Sequence, residues 1–371
     1  MTPPRESLRP SATLFTDGTY FVAYRYANHA GTSGYDRFAD FLGSPVTVSP
    51  RLRTLGETAL RLPAKLISWY NGSYEYSRHD CIHELAVYGH MRRRRDGLYH
   101  FLYAEKSLRF LGGCNGWRGH RIVGSFHHCP WKYPQYFRST KHFRPIEHAV
   151  VVSRGQIEHL ESIIGPGKVT FVPYAVDADY FKPAEEPVRD RPLRCACVGQ
   201  HLRDFETLPA VIRGITTAIP RSEFYVIGAP PRFETTFREI PGAIWKRGIS
   251  DAEYLDILQH IDLLVLPLTD STSVTTVNEA LGCGVPIITN PGGVNDYLNE
   301  ACSILRPVGD VTGMVDAAVA LLRDEGTRGR MSQAARAQGL ELNWPRSAAK
   351  MKQVYDRLRP GGASSADGES P

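Results

Sequence analysis

The sequence predicts an α/β protein of two domains, each a parallel sheet covered by helices. Three observations predict this. Short continuous apolar runs alternate with helical patterns along most of the chain, which is how strands buried on both faces read. The 371 residues, 42% hydrophobic, exceed one ordinary core and suit two. Two such alternating series meet at Pro173-Tyr174-Ala175, which reads as a hinge.

In the first series, strands are expected over Ala12–Phe15, Phe21–Tyr24, Leu98–Tyr103, Arg121–Phe126, His148–Ser153 and Val169–Val172, with a helix over Gly34–Leu42. Cys81–Arg93 reads as an amphipathic surface helix. In the second series, strands are expected over Leu193–Val198, Glu223–Ile227, Ala243–Lys246, Ile261–Pro267, Val285–Thr289 and Ser303–Leu305. Helices fall over Glu206–Ala218, Asp251–His260 with Ser250 as N-cap, Thr276–Gly282, Asp310–Glu325 and Thr327–Gly339. The expected division is residues 1–173, residues 174–343, a helix over 344–360 that packs back across the interface, and a disordered polar tail over 361–371.

Composition narrows the class. With 22% charged and 10% aromatic residues the chain is globular. There is no run of about 18 apolar residues to span a membrane, and Met1–Ala12 has no apolar signal region. A cytoplasmic location follows as the expectation. The seven cysteines form no CxxC pair and are expected to be reduced thiols. Residues 1–150 carry 21 Lys and Arg against 11 Asp and Glu, so the first half is basic and suits an anionic partner or a solvated surface. Arg51, Arg53, Arg61, Lys65 and Arg92–Arg95 stand near Leu52, Leu55, Leu62, Leu66, Ile67 and Trp69, a composition suited to peripheral contact with an anionic membrane. No nucleic-acid partner is expected.

Ligands of parallel sheets bind beyond the carboxyl ends of strands. The chemistry is therefore sought in the loops after Val198, Ile227, Lys246, Pro267 and Thr289. The strongest pattern is Asp270-Ser271-Thr272-Ser273-Val274-Thr275, a loop of small hydroxyl residues entering a helix, followed by Glu279. Open N–H groups and the positive end of a helix suit a diphosphate. A carboxylate about two turns in can accept from two vicinal ribose hydroxyls. Arg247 could add a cation on the nucleoside side.

Val198-Gly199 with Arg203-Asp204, the strand ending at Pro267, Glu279-Ala-Leu-Gly-Cys-Gly-Val-Pro-Ile and Gly292-Gly-Val-Asn-Asp296 come in an order that resembles glycosyltransferase family 4. Val172-Pro-Tyr-Ala-Val-Asp177-Ala-Asp-Tyr-Phe-Lys-Pro183 resembles its hinge segment, and Glu147–Ser153 its strand before the hinge. The resemblance covers the chain from Glu147 onward firmly and the earlier part loosely. It implies the GT-B fold, two Rossmann-like domains facing a central cleft. It also implies a retaining transfer from a nucleoside diphosphate sugar of UDP or GDP type to a glycan, lipid-linked or small-molecule acceptor. The donor is a co-substrate; no cofactor or metal is expected. Two positions depart from the family pattern. Ser271 stands where a glutamate is common, and Gln200 where a second basic residue follows the glycine, which leaves Arg203 as the cation for the leaving diphosphate.

In the first half, Gly124-Ser-Phe-His127-His128-Cys-Pro130 follows a strand. The resemblance implies that His127 faces the donor sugar and binds one of its hydroxyls; His128 is a candidate on the acceptor side. A metal site from His127, His128 and Cys129 is the rival reading, disfavoured because adjacent residues on a strand end point apart. Gly34 and Tyr35, in a glycine-containing loop, and Glu105, after another strand, are further acceptor-side candidates. His79-Asp80-Cys-Ile-His83 imitates a zinc-protease motif, but Asp80 replaces the required Glu and a third ligand spacing is missing. A nucleotide-sugar epimerase or hydrolase, and a non-catalytic nucleotide-sugar binder, remain alternatives. No GxGxxG follows a strand, which disfavours a nicotinamide-dependent oxidoreductase.

Overall fold

The structure, a computed structural model, describes residues 14, 16–22, 34–72, 76–186 and 190–359. All of the expected strand at 12–15 except Leu14, the loop residues Gly31–Ser33 and the tail after Pro360 lie outside these residues. The chain divides into two compact units. One holds the described residues up to Pro173 together with those from Pro345 onward; the other is Tyr174–Trp344.

In the first unit the strands are β1 (Thr19–Val22), β2 (Ser44–Pro45), β3 (Leu98–Phe101), β4 (Arg121–Phe126), β5 (His148–Val151) and β6 (Val169–Phe171). They pair in the order β2-β1-β3-β4-β5-β6, parallel throughout. The helices are α1 (Phe38–Leu42), α2 (Pro50–Ala59), α3 (Arg61–Asn71), α4 (Arg78–Arg92), α5 (Ala104–Ser107), α6 (Tyr133–Tyr136) and α7 (Ile157–Ile164). Tyr99, Phe101, Ile122, Phe126, Ala149 and Val151 of the strands pack with Val87 and Met91 of α4 and Leu160 of α7 in one core. The continuous apolar runs are thus strands covered by helices.

The second unit carries β7 (Arg194–Val198), β8 (Glu223–Ile227), β9 (Ala243–Lys246), β10 (Leu263–Leu266), β11 (Ile287–Thr289) and β12 (Ser303–Leu305). Their order is β12-β11-β10-β7-β8-β9, again parallel. Its helices are α8 (Leu208–Ala218), α9 (Glu234–Arg238), α10 (Asp251–His260), α11 (Thr275–Gly282), α12 (Val311–Arg323) and α13 (Glu325–Glu341). The order reverses between β7 and β10, so a crevice opens at their carboxyl ends. In the first sheet the reversal falls between β1 and β3.

The last helix, α14 (Trp344–Leu358), contributes to the first unit. Its buried Tyr355 meets Nδ1 of His100 at 2.6 Å, and His100 Nε2 meets Ser125 Oγ at 2.8 Å. Ser125 Oγ in turn donates to the hydroxyl of Tyr35 at 3.1 Å. Ser125 therefore accepts from Nε2–H, and Nδ1 accepts from Tyr355. Burial holds His100 neutral, with its pKa pushed down to about 3.

Helix α4 corrects one expectation. It is a core element, not a surface one: Cys81, Ile82, Glu84, Val87 and Met91 are buried. Glu84 Oε1 accepts backbone N–H groups of Arg109, Phe110 and Leu111, each at 3.0 Å. Its Oε2 accepts from the Tyr76 hydroxyl at 2.6 Å. Burial raises this carboxyl above its ordinary range, and those donors hold it down. Asp80 is spent on the helix start, accepting from the N–H and hydroxyl of Ser77. All seven cysteines are free thiols.

Candidate active site

In the second unit the site is built where β7 and β10 end. Gly199 follows β7 with φ +87°, a left-handed conformation that favours glycine. A Cβ there would lie 2.8 Å from Nη2 of Arg203, so the missing side chain lets the guanidinium rest on the backbone. Arg203 Nε donates to the Val198 carbonyl at 2.9 Å and Nη1 to the His201 carbonyl at 2.8 Å. Burial lowers the Arg203 pKa, while the Cys197, Tyr254 and Glu279 side chains raise it.

The loops after β7 and β10 are tied together. Asp204 N–H donates to the Pro267 carbonyl and Thr269 N–H to the Leu202 carbonyl, both at 3.0 Å. Asp204 Oδ1 accepts from Thr207 N–H at 3.0 Å at the start of α8. It therefore anchors that helix, while its neighbour Arg203 lies against the crevice.

Beyond β10, Asp270 Oδ1 accepts from Ser271 N–H at 2.6 Å. Ser271 is buried, and its Oγ accepts from Val294 N–H at 3.0 Å. Its carbonyl accepts from Gly293 N–H at 2.9 Å. A Cβ on Gly292 would meet that Oγ at 2.7 Å, which explains the glycine. Ser271, expected as a donor contact, is thus a clamp between the β10 loop and the Gly292-Gly293 turn. Thr272 and Val274 are buried; Ser273 and Thr275 are half-buried. Val274 is the N-cap of α11 and supplies no side-chain cap, so the first-turn N–H groups look to the loop.

Glu279 lies on α11, and its Oε2 accepts from the Tyr254 hydroxyl of α10 at 2.6 Å. Burial and Glu279 together push the Tyr254 pKa up, so this tyrosine stays a donor. Next to it, Asn278 Nδ2 donates to the Tyr174 carbonyl at 2.9 Å, fixing α11 to the hinge segment. Arg336 Nη1 bonds the carbonyls of Ala178, Phe181 and Gly282, a cation at the carboxyl end of α11. Gly199, Arg203, Asp270–Thr275 and Glu279 therefore share one sheet edge. Arg247 is exposed after β9, the edge strand two places from β7, and no hydrogen bond or ion pair joins it to that group. Tyr254 and Gly228 were missed in the sequence. Gly228 (φ +75°) ends β8, and a Cβ there would reach Gly199 at 3.8 Å.

In the first unit, Glu105 corrects another expectation. It does not line an acceptor surface: it is 5% exposed. Its Oε1 accepts from His127 N–H at 2.6 Å, His128 N–H at 2.9 Å and the Tyr133 hydroxyl at 3.3 Å. It shapes the turn after β4 from beneath, and burial raises its pKa. Tyr35 is likewise fully buried, and burial raises its phenol. Its ring meets His127 edge-on at 4.6 Å, and Tyr103 stacks on the same imidazole at 4.8 Å. His127 Nε2 lies 2.8 Å from the Leu102 carbonyl, so that nitrogen carries the proton. His128 packs against Tyr136. Gly34 precedes Tyr35 at φ 126°. Among the described residues no group of three or more His, Cys, Asp or Glu could hold a metal ion.

Two doubly wound parallel sheets of this kind make the fold that of the GT-B glycosyltransferases. Sucrose-phosphate synthase from Thermosynechococcus elongatus shares it, with a TM-score of 0.64 at 19% identity over 92% of this chain and 88% of that one. Anabaena HepE, solved with UDP, gives 0.62 at 12% identity over 85% and 86%. Within this fold, residues 192–324 match the model of the family described as glycosyl transferases group 1. The D-inositol 3-phosphate glycosyltransferase of Xylanimonas cellulosilytica is 26% identical over 142 residues, which is 35% of this chain and 34% of that protein. The chain therefore aligns with about a third of the length of that curated relative.

Proposed function

We propose that the protein transfers a sugar from a nucleoside diphosphate donor of UDP or GDP type to an acceptor hydroxyl, with retention. One observation carries this reading. Arg203, the uncapped start of α11 and buried Glu279 are gathered at the reversal point of the second sheet, held by the ties between the β7 and β10 loops. Arg203 and the N–H groups of Thr275 and Thr276 neutralise the diphosphate as it leaves. Glu279, oriented by Tyr254, accepts from the ribose hydroxyls. Gly199 and the Asp270–Ser273 loop let the donor approach the backbone. At the carboxyl edge of the first sheet, His128 is assigned to the acceptor and His127 to a hydroxyl of the transferred sugar. That HepE was solved with UDP supports the choice of donor class.

The test is titration calorimetry with UDP and GDP. Glu279→Ala and Arg203→Ala should each weaken nucleotide binding by roughly 10- to 100-fold, the loss of a hydrogen bond to a charged group. Unchanged affinity in both folded variants would remove the assignment.

A further inference from the structure

Helix α3 has two apolar faces, and among the described residues only one is packed into a core cluster. Ala64 is buried with Tyr76 and Cys81, and Leu60, Ile67 and Leu85 pack against that cluster. On the opposite side, Leu62, Leu66, Trp69 and Tyr70 are 66%, 57%, 65% and 75% exposed. At about 100° per residue, these four side chains fall within an arc of about 100°. Scattered exposed hydrophobics are ordinary on a protein surface; four large ones aligned on one helix are not.

Cations frame the stripe. Arg61 and Lys65, one turn apart and both exposed, run along its flank. The Arg138 guanidinium lies over the Trp69 ring, 5.4 Å from its centroid. Arg51 and Arg53 of the neighbouring α2 are exposed as well, and Glu57 is the sole acidic residue between positions 50 and 71. We propose that this face of α3 inserts into the surface of an anionic lipid bilayer, with Leu62, Leu66, Trp69 and Tyr70 at the acyl boundary and the cations at the headgroups.

The chemistry favours a bilayer over a second copy of the chain. A stable protein interface engages about 20 to 30 residues a side, whereas this stripe is four residues of one helix. Trp and Tyr suit the interfacial depth, with one end apolar and the other wet. Paired cations would repel their own copies across a two-fold axis and attract lipid phosphate. The sequence pattern grouped Ile67 with the exposed set; the structure turns Ile67 inward and puts Tyr70 in its place. The inference does not depend on the donor site, because its readout is binding alone.

The experiment is co-sedimentation of the full chain with vesicles of phosphatidylcholine, with and without phosphatidylglycerol, at low and high salt. The wild type should sediment with the anionic vesicles only, and less so at high salt. Leu66→Asp with Trp69→Asp should reduce binding by about tenfold or more, given two apolar side chains removed from the boundary. Arg61→Glu with Lys65→Glu should reduce it too, and both pairs should melt like the wild type. If the first pair melts early, Leu62→Gln with Tyr70→Gln gives the same reading from the most exposed positions. No sedimentation, equal binding to neutral vesicles, or wild-type binding by folded variants would overturn the proposal. So would light scattering that shows a dimer which Leu66→Asp splits.

Discussion

Glu105 and Ser271 both serve the backbone rather than a ligand, and both do so close to the candidate sites. Glu105 carries the amides of His127 and His128; Ser271 carries the amide of Val294. Ser271→Ala would leave a buried N–H without its acceptor and should cost about 1–3 kcal/mol, read as a lower urea midpoint at unchanged slope. Glu105→Ala removes the oxygen that accepts from both N–H groups and from the Tyr133 hydroxyl. It should destabilise the first unit by a similar order, about 1–3 kcal/mol, in the same measurement. Neither role was legible beforehand. A carboxylate after a strand and a serine in a polar loop read as surface groups, and their partners lie 22 and 23 positions away in sequence. Glu279 was legible because its spacing from the hydroxyl loop is local. Tyr254, which orients it, was not, because that contact joins two helices 25 positions apart.

At the scale of elements, α11 is held at its carboxyl end and along its sides. Arg336 binds its last carbonyl region, Asn278 ties it to Tyr174, and Gly339 of α13 lets the two helices approach closely. A Cβ at Gly339 would stand 2.6 Å from the amide nitrogen of Gly282 and 2.7 Å from Leu281 backbone atoms. Backbone cannot move aside cheaply, so Gly339→Ala should lose about 1–3 kcal/mol by overpacking. It should also weaken nucleotide binding, because the start of α11 shifts with it; thermal melts and calorimetry read the two effects separately. The strands of both units except β2, and the helices of the second unit except α9, were legible from alternating apolar runs, within a residue or two at their ends, whereas α2, α3, α5, α6 and α7 of the first unit were not read. Helix α4 was misplaced to the surface because Glu84, Asp80 and His83 mimic a polar face, whereas burial of Glu84 is set by loop amides beyond the helix.

Across the whole molecule, the two sheets differ in how they meet acid. His100, His142 and His148 all belong to the first unit, and burial depresses their pKa values to about 3, 3 and 4. The native rings exclude a proton that the unfolded chain takes up near pH 6.5. Their contribution is therefore present above pH 6.5 and lost as the pH falls toward 4, by up to about 1.4 kcal/mol per pH unit for each ring. Hydrogen exchange at pH 7.5 and pH 5 should show amides of β3, β4 and β5 opening selectively, with β7 to β11 little changed. Equal loss in both units would contradict that account.

The proposed nucleoside diphosphate site lies where the strand order of the second sheet reverses. Hydrogen exchange with and without UDP tests it most directly. Added protection is expected in residues 199–204 and 268–280, the loops after β7 and β10 and the start of α11. Protection confined to other strand ends, or none at nucleotide concentrations that shift the melting temperature, would contradict it.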